Sequence, residues 1–121
     1  MPIYESILDQ ANDARTRIRE VPAENVGVPS VNGPVFLDVR EEVEFCAGHI
    51  PGAVNLPRGE IETRIESVVP NKEAPIVAYC AIGHRSAIAA DTLQDLGYIH
   101  VVSLEGGLKA YEAIADTRKV A

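Results

Sequence analysis

The sequence places one cysteine, Cys80, between a predicted strand and a predicted helix, where the backbone can activate a nucleophile. Cys80 ends the apolar run 76–79 and precedes a short polar loop, after which an alanine-rich helical pattern begins. A thiol held against the first turn of a helix meets unpaired backbone N–H groups and the positive end of the helix dipole. These surroundings stabilise a thiolate, which is the nucleophilic form of cysteine. We therefore expect Cys80 to be the centre of function.

The composition limits the classes of protein that this chain resembles. Its 121 residues suit one domain, and 46% hydrophobic with 24% charged residues is typical of a globular protein. A formal net charge of −7 argues against nucleic acids and acidic membranes as partners. No apolar stretch approaches the roughly 18 residues that cross a bilayer, and no export signal opens the chain, so a cytoplasmic location is expected. Cys46 and Cys80 match neither a disulfide framework nor a zinc-ligand pattern, and no metal or organic cofactor is implied.

Apolar runs and helical spacings alternate along the chain. We predict strands at 35–39, 53–56, 76–79 and 100–104, and helices at 41–47, 61–68, 86–96 and 106–114. Ser86 is expected to cap the helix at 86–96, and Gly97 to end it in the left-handed conformation. The alternation predicts an α/β domain with a mostly parallel central sheet flanked by helices. Nucleophiles in such folds lie at the carboxyl ends of strands.

The N-terminal residues form a separate pattern. Apolar residues spaced from Tyr4 to Ile18 predict an amphipathic helix within 4–20, and Pro22 is expected to open another short helical turn before a loop at 26–33. We therefore divide the chain into an N-terminal helical extension at 1–20, the α/β domain at 21–116 and a frayed C-terminal tail at 117–121.

Four segments, taken in order, resemble the motifs of the rhodanese domain. They are Asp-Val-Arg at 38–40, Gly-His-Ile-Pro-Gly-Ala-Val-Asn-Leu-Pro at 48–57, Tyr-Cys-Ala-Ile-Gly-His-Arg-Ser at 79–86 and Leu-Glu-Gly-Gly at 104–107. The resemblance runs from about Val21 to Ile114 and implies a single-domain sulfurtransferase with the rhodanese fold. The tryptophan that often follows the late Gly-Gly pair is missing, and Tyr111 is expected to fill its packing position.

The resemblance also implies a chemistry. Cys80 would accept a sulfane sulfur from thiosulfate or a persulfide, carry it as a persulfide and pass it to cyanide, a thiol or a protein thiol. Arg85 adds a permanent positive charge suited to an oxyanion donor. The residues expected to bind substrate are Ala81, Ile82, Gly83, His84, Arg85 and Ser86, with Arg58 at the mouth of the site.

Other polar residues of the motifs suit structural roles better. Asp38, Arg40 and His49 are expected to hold the strand end and the following turn together, since buried polar groups are kept when they are paired. Cys46 is expected to be a packing residue, and a disulfide between it and Cys80 is the alternative.

Each expected site residue has a simpler interpretation beside the functional one. Cys80 could be a buried inert thiol, and His84 could point to solvent. Arg85 could be a solvated charge or the partner of a carboxylate such as Asp38.

Two other functions compete with sulfur transfer. Rhodanese-like phosphatases need a loop one residue longer, because here only four residues separate Cys80 from Arg85. The same loop size argues against arsenate reduction. A non-catalytic rhodanese-like interaction module is the other alternative, and the intact Cys80 argues against it.

Overall fold

Five parallel strands form the centre of the computed structural model, which describes residues 6–120 and the side chains of 6–115. The strands are β1 (Glu20–Pro22), β2 (Val35–Asp38), β3 (Val54–Asn55), β4 (Ile76–Tyr79) and β5 (Val101–Glu105). Their order across the sheet is β1-β5-β4-β2-β3, and every neighbouring pair is parallel. The predicted α/β domain with a mostly parallel sheet is therefore confirmed.

Among residues 6–120, five helices and two short 3-10 turns flank this sheet. The helices are α1 (Ile7–Ala14), α2 (Glu42–Ala47), α3 (Ile61–Val68), α4 (His84–Asp95) and α5 (Gly107–Val120), and the 3-10 turns are Ala23–Asn25 and Arg58–Glu60. Within the described residues, no helix is both long and apolar enough to cross a membrane.

Side chains of the central strands alternate between two cores, one on each face of the sheet. Ile76 and Cys80 belong to the core that includes Leu93 of α4, whereas Val77 and Tyr79 belong to the core on the other face. Successive strand residues point to opposite faces, so Cys80 continues the face on which Ile76 lies. The sequence therefore directs the thiol toward α4.

Tyr111 packs within the second of these cores. Its ring meets Phe36 edge to face with centroids 6.4 Å apart, and its hydroxyl donates to the Gly27 carbonyl at 3.3 Å. The tyrosine thus links α5 to the loop that follows β1.

The N-terminal region differs from the prediction. α1 ends at Ala14, and a strand that the sequence analysis missed, β1, pairs with β5. Pro22 ends this strand, which an edge strand tolerates because its last residue needs no N–H. The short helical turn expected at Pro22 is present as well, since Pro22 is the N-cap of the 3-10 turn Ala23–Asn25. Tyr4 lies outside the described residues.

Two helix boundaries also differ. α4 begins at His84, so Ser86 lies inside its first turn and Gly83, at φ +105°, occupies the N-cap position. Gly97 has φ +98°, the left-handed conformation predicted for it. At the other end of the chain α5 continues to Val120, so residues 117–120 extend this helix instead of forming a separate tail.

A buried ion pair fixes the end of β2. The Asp38 carboxylate accepts hydrogen bonds from the Arg40 backbone N–H at 3.0 Å and from Nη2 at 2.8 Å, and this contact raises the pKa of Arg40. The same Nη2 donates to the Gly48 carbonyl at 2.7 Å. Asn55 Nδ2 donates to the carbonyls of Asp38 and Arg40, both at 3.0 Å. The Arg40 side chain therefore joins the end of β2 to the turn after α2, and Asn55 joins the same strand end to β3.

His49 lies at the surface of that turn. Its ring stacks on Phe45 with centroids 3.6 Å apart, and Nδ1 lies 2.8 Å from the Phe45 carbonyl oxygen. Next to it, the Ile50 N–H donates to the buried Tyr79 hydroxyl at 3.2 Å.

We expect Asp38→Asn to lower the free energy of unfolding by about 3 kcal/mol, because it leaves the buried Arg40 guanidinium without its counter-charge. Urea unfolding followed by circular dichroism measures this. Glu60→Gln is the matched control, since it removes one partner of the exposed Arg64–Glu60 pair and should cost about 0.5 kcal/mol or less. Equal losses in the two variants would contradict the assigned role of the buried pair.

Candidate active site

The Cys80 sulfur lies at the carboxyl end of β4, inside the loop that leads into α4. The residue is 1% exposed. Its Sγ accepts hydrogen bonds from the Gly83 N–H at 3.1 Å and the Ser86 N–H at 3.4 Å, and donates to Ser86 Oγ at 3.5 Å. Two backbone N–H groups at the start of a helix thus converge on one sulfur, which is the arrangement that stabilises negative charge there.

Carbonyl groups of the same loop are bonded on the opposite side by α5. The Leu108 N–H donates to the Cys80 carbonyl at 2.8 Å, and the Lys109 N–H donates to the Ala81 carbonyl at 3.2 Å. Because C=O and the next N–H point in opposite directions within a trans peptide, these bonds turn the N–H groups of Ala81 and Ile82 away from α5.

Gly107 makes this close approach possible. A Cβ added there would lie 2.5 Å from the Cys80 carbonyl oxygen and 2.6 Å from the Ala81 carbonyl carbon and oxygen, and its φ is +62°. The Gly106-Gly107 pair is visible in the sequence as part of a motif, but its contact with the loop is not. A glycine pair directly before a helix was the available signal.

A serine pair lies beneath the sulfur. Ser86 Oγ lies 2.8 Å from Ser103 Oγ and donates to the Gly83 carbonyl at 3.3 Å, and both serines are fully buried. Ser103 comes from β5 and was missed by the sequence analysis, because a serine inside an apolar strand gives no sign of its partner. The pair links the sulfur to the neighbouring strand.

Arg85 forms a two-point ion pair with Glu44 of α2. Nη1 and Nη2 lie 2.7 and 3.0 Å from the two carboxylate oxygens. This contact lowers the pKa of Glu44 from its ordinary value of 4.5 to about 2 and raises the pKa of Arg85. The carboxylate partner is thus Glu44, whereas the sequence suggested Asp38 as an example.

The other expected binding residues lie around this loop at different depths. Ala81 is half-buried, Ile82 is 53% exposed, and the half-buried His84 contacts the N-terminal segment through Arg15. An open depression of about 490 Å³ lies beside the loop, lined by residues that include Arg40, Ala81, Ile82, Leu108, Lys109 and Glu112.

Arg58 opens the 3-10 turn after β3. Its backbone N–H donates to the Val39 carbonyl at 3.0 Å. Its Nε is buried and, within the described residues, has no hydrogen-bond partner. An unpartnered guanidinium nitrogen retains the capacity to bind an acceptor.

Cys46 differs from its predicted packing role, because α2 leaves it exposed. None of the residues of α2 is fully buried, so the helix lies at the surface of the domain. Within the side chains of 6–115, no group of three or more His, Cys, Asp or Glu residues could hold a metal ion.

Gly107→Ala tests the contact between α5 and the loop. The added Cβ meets loop backbone and the positive φ is strained, so we expect the thermal midpoint to fall by several degrees. Gly59→Ala is the control, because a Cβ there meets nothing within 4 Å and should leave the midpoint nearly unchanged. Differential scanning calorimetry gives both values, and an unchanged midpoint in Gly107→Ala would show that the loop tolerates a larger separation.

Glu44→Gln tests the ion pair through pH. The pKa of Glu44 is depressed in the folded state, so its stabilising effect is present above pH 4.5 and is lost as pH falls toward 2. We expect the variant to be about 0.5 kcal/mol less stable at pH 7, with the difference vanishing in acid. Urea unfolding between pH 2 and 7 measures this, with Glu42→Gln on the same helix as the control. A pH-independent difference would contradict the assignment.

Comparisons with known proteins place this geometry in a family. The profile of the Rhodanese-like domain matches residues 24–114. The thiosulfate sulfurtransferase PspE of Escherichia coli (strain K12) is 38% identical over 81 residues, which cover 63% of this chain and 77% of that protein. The putative sulfur carrier protein YrkF of Bacillus subtilis (strain 168) is 40% identical over 74 residues, 61% of this chain and only 39% of that protein.

Solved structures give the same fold. A protein of unknown function from Rhodopseudomonas palustris CGA009, described as a possible tyrosine phosphatase, superimposes with a TM-score of 0.77 at 26% identity and covers 95% of each chain. The profile match spans most of the chain, and its segment contains the loop at 80–86, the strands β2 to β5 and the buried Cys80. This chain therefore belongs to the rhodanese-like domain family.

Proposed function

We propose that this protein is a sulfurtransferase that carries sulfane sulfur as a persulfide on Cys80. The observation that carries the proposal is the convergence of the Gly83 and Ser86 N–H groups on the Cys80 sulfur at the start of α4. Membership of the family and the similarity to a protein named thiosulfate sulfurtransferase support the same reaction.

The reaction proceeds in two displacements. The Cys80 thiolate attacks the outer sulfur of thiosulfate, the S–S bond of the donor breaks, and sulfite leaves with the bonding electron pair. The remaining persulfide carries one negative charge. Cyanide or a thiolate then attacks its terminal sulfur, and Cys80 leaves as the thiolate. Each half-reaction conserves charge, so ping-pong kinetics with parallel initial-rate lines are expected.

The loop's N–H groups suit the charge that moves in both steps. Fixed donors that need no reorientation stabilise a negative sulfur better than water does, because water must reorganise. The N–H groups of Ala81 and Ile82, turned away from α5, are further candidates to contact the terminal sulfur of the persulfide.

Arginines would bind the donor. Arg85 stands in the first turn of α4, with its terminal nitrogens occupied by Glu44. A thiosulfate oxyanion would have to displace Glu44 to reach these nitrogens, whereas a persulfide donor has less need of a cationic partner. Arg58 is the other expected ligand, and its Nε is buried without a partner among the described residues.

A phosphatase is the second candidate, favoured by the description of the Rhodopseudomonas palustris protein. Four residues separate Cys80 from Arg85, which is one fewer than the phosphatase loop needs. The two N–H groups that already contact Sγ leave a small cradle, which suits a single sulfur atom better than a tetrahedral phosphate.

A protein thiol is a further acceptor that the proposal includes. The similarity to a putative sulfur carrier protein supports it, and Ile82 offers an exposed apolar side chain on the sulfur-binding loop. Exposed apolar side chains beside a reactive centre favour contact with a protein partner.

Mass spectrometry of the intact protein tests the proposal. After incubation with thiosulfate, wild type and Cys46→Ser should each gain the mass of one sulfur atom, while Cys80→Ser gains none. Cyanide should remove the added sulfur and release thiocyanate. Cys46→Ser is the matched control, because it removes the exposed thiol and keeps the buried one.

Absence of an adduct from both thiosulfate and a small persulfide would contradict sulfur transfer and favour the interaction module. Hydrolysis of para-nitrophenyl phosphate that depends on Cys80 would favour the phosphatase instead. Intersecting initial-rate lines would contradict the two-step displacement.

A further inference from the structure

The N-terminal segment that precedes the family match reaches the sulfur-binding loop. α1 packs against α4, where Ala11 joins Ala87 and Ile88 in a small apolar cluster. The profile match begins only at residue 24, so α1 and β1 lie outside it. This packing brings the end of α1 to the start of α4.

Arg15, the residue after α1, uses all three guanidinium nitrogens at this junction. Nε donates to Glu20 of β1 at 3.1 Å, and Nη1 donates to Asn12 of α1 at 2.8 Å. Nη2 donates to the Gly83 carbonyl at 3.3 Å and lies 3.1 Å from His84 Nδ1. One side chain thus connects α1, β1 and the loop that surrounds Cys80.

A contact between Arg15 and Gly83 can affect the Cys80 sulfur through the Gly83 backbone. It is buried, its φ is +105°, and its N–H is the shorter of the two backbone donors to the Cys80 sulfur. A glycine has the widest choice of backbone conformations, so its native conformation depends on contacts made by its neighbours. Arg15 and Ser86 Oγ both donate, at 3.3 Å, to the carbonyl of the residue whose N–H contacts the sulfur, and Arg15 is the donor from outside the loop and α4.

Arg15 also fixes the form of the His84 ring. A guanidinium has donors only, so Nδ1 must be the acceptor in this contact. The ring proton of His84 therefore lies on Nε2, the nitrogen away from Arg15. The position of this proton can be observed whether or not the protein transfers sulfur.

We propose that Arg15 is a positioning residue for sulfur transfer, holding Gly83 so that its N–H meets the Cys80 sulfur, and that the N-terminal segment is thereby part of the active site. This inference rests on the proposed sulfurtransferase function. Arg15 touches no reacting atom, and its effect passes through Gly83.

Arg15→Gln and Arg17→Gln form the matched pair that tests the proposal. Arg17 ties the same segment to α4 through Asp91 at 2.7 Å, and its side-chain hydrogen bonds within the described residues go to Asp91 and Asp13, away from the loop. A role confined to anchoring the segment would affect both variants alike. A positioning role affects Arg15→Gln much more strongly.

The first measurement is the rate at which Cys80 gains sulfur from saturating thiosulfate, followed by intact mass. We expect Arg15→Gln to be slower by about tenfold, since small displacements of positioned groups cost one to two powers of ten. Arg17→Gln should stay within twofold of wild type. Arg15→Lys should recover part of the rate, because an ammonium can still donate to the Gly83 carbonyl. Equal rates in the glutamine variants would overturn the proposal.

The second measurement is nitrogen NMR of the His84 ring and the Gly83 amide. Wild type and Arg17→Gln should show His84 protonated on Nε2, and Arg15→Gln should show a mixture of both ring forms and a shifted Gly83 amide. An unchanged spectrum in Arg15→Gln would overturn the proposal even if its rate fell. If wild type gains no sulfur, the proposed function fails, whereas the spectra still decide whether Arg15 holds the loop. If Arg15→Gln does not fold, Arg15→Met, which also removes the donors, replaces it in both measurements with the same expected and contradicting results.

Discussion

The loop around Cys80 can turn N–H groups toward the sulfur only if the loop's carbonyls find partners elsewhere. Buried backbone carbonyls without partners are costly, so these carbonyls need hydrogen-bond donors on the outer side of the loop. The first turn of α5 donates to two of them, Cys80 and Ala81, and the Gly83 carbonyl accepts from both Ser86 Oγ and Arg15 Nη2. The loop around the Cys80 sulfur therefore depends on groups that contact its outer side. The parallel sheet places β4 and β5 next to each other, so that α4 and α5 meet at this loop.

Backbone dipoles, more than side-chain charges, make this site positive. Arg40 is neutralised by Asp38 and Arg85 by Glu44, so neither brings an uncompensated charge. The whole chain carries a net charge of −7, which opposes the approach of anions from a distance. The donors at the sulfur act over a few ångströms, where that distant charge is screened by salt. A negative sulfur can therefore be stabilised within an acidic protein.

Local patterns in the sequence predicted most of the fold. The ranges of β4 and α3 agree with the prediction, because apolar periodicity and flanking breakers define them locally. β1 was missed because a three-residue strand ending in proline gives no periodic signal and exists only through pairing with β5. The predicted packing of Cys46 was wrong, since nothing in the sequence shows that α2 lies on the surface.

The candidate site was likewise predictable only in part. The position of Cys80 between a strand and a helix was visible in the sequence, whereas its supporting contacts join residues far apart in the chain. Glu44 and Arg85 are 41 positions apart, and Arg15 and Gly83 are 68 apart. Such contacts depend on how the elements pack, which local spacing does not encode.

The two outer strands of the sheet also affect how this molecule meets its own copies. β3 has two residues, and β1 has three and ends in Pro22, which has no N–H to offer. An edge strand with few free backbone groups gives another chain little to pair with. The sheet therefore resists extension from one molecule to the next, so the protein is protected against aggregation through its sheet edges.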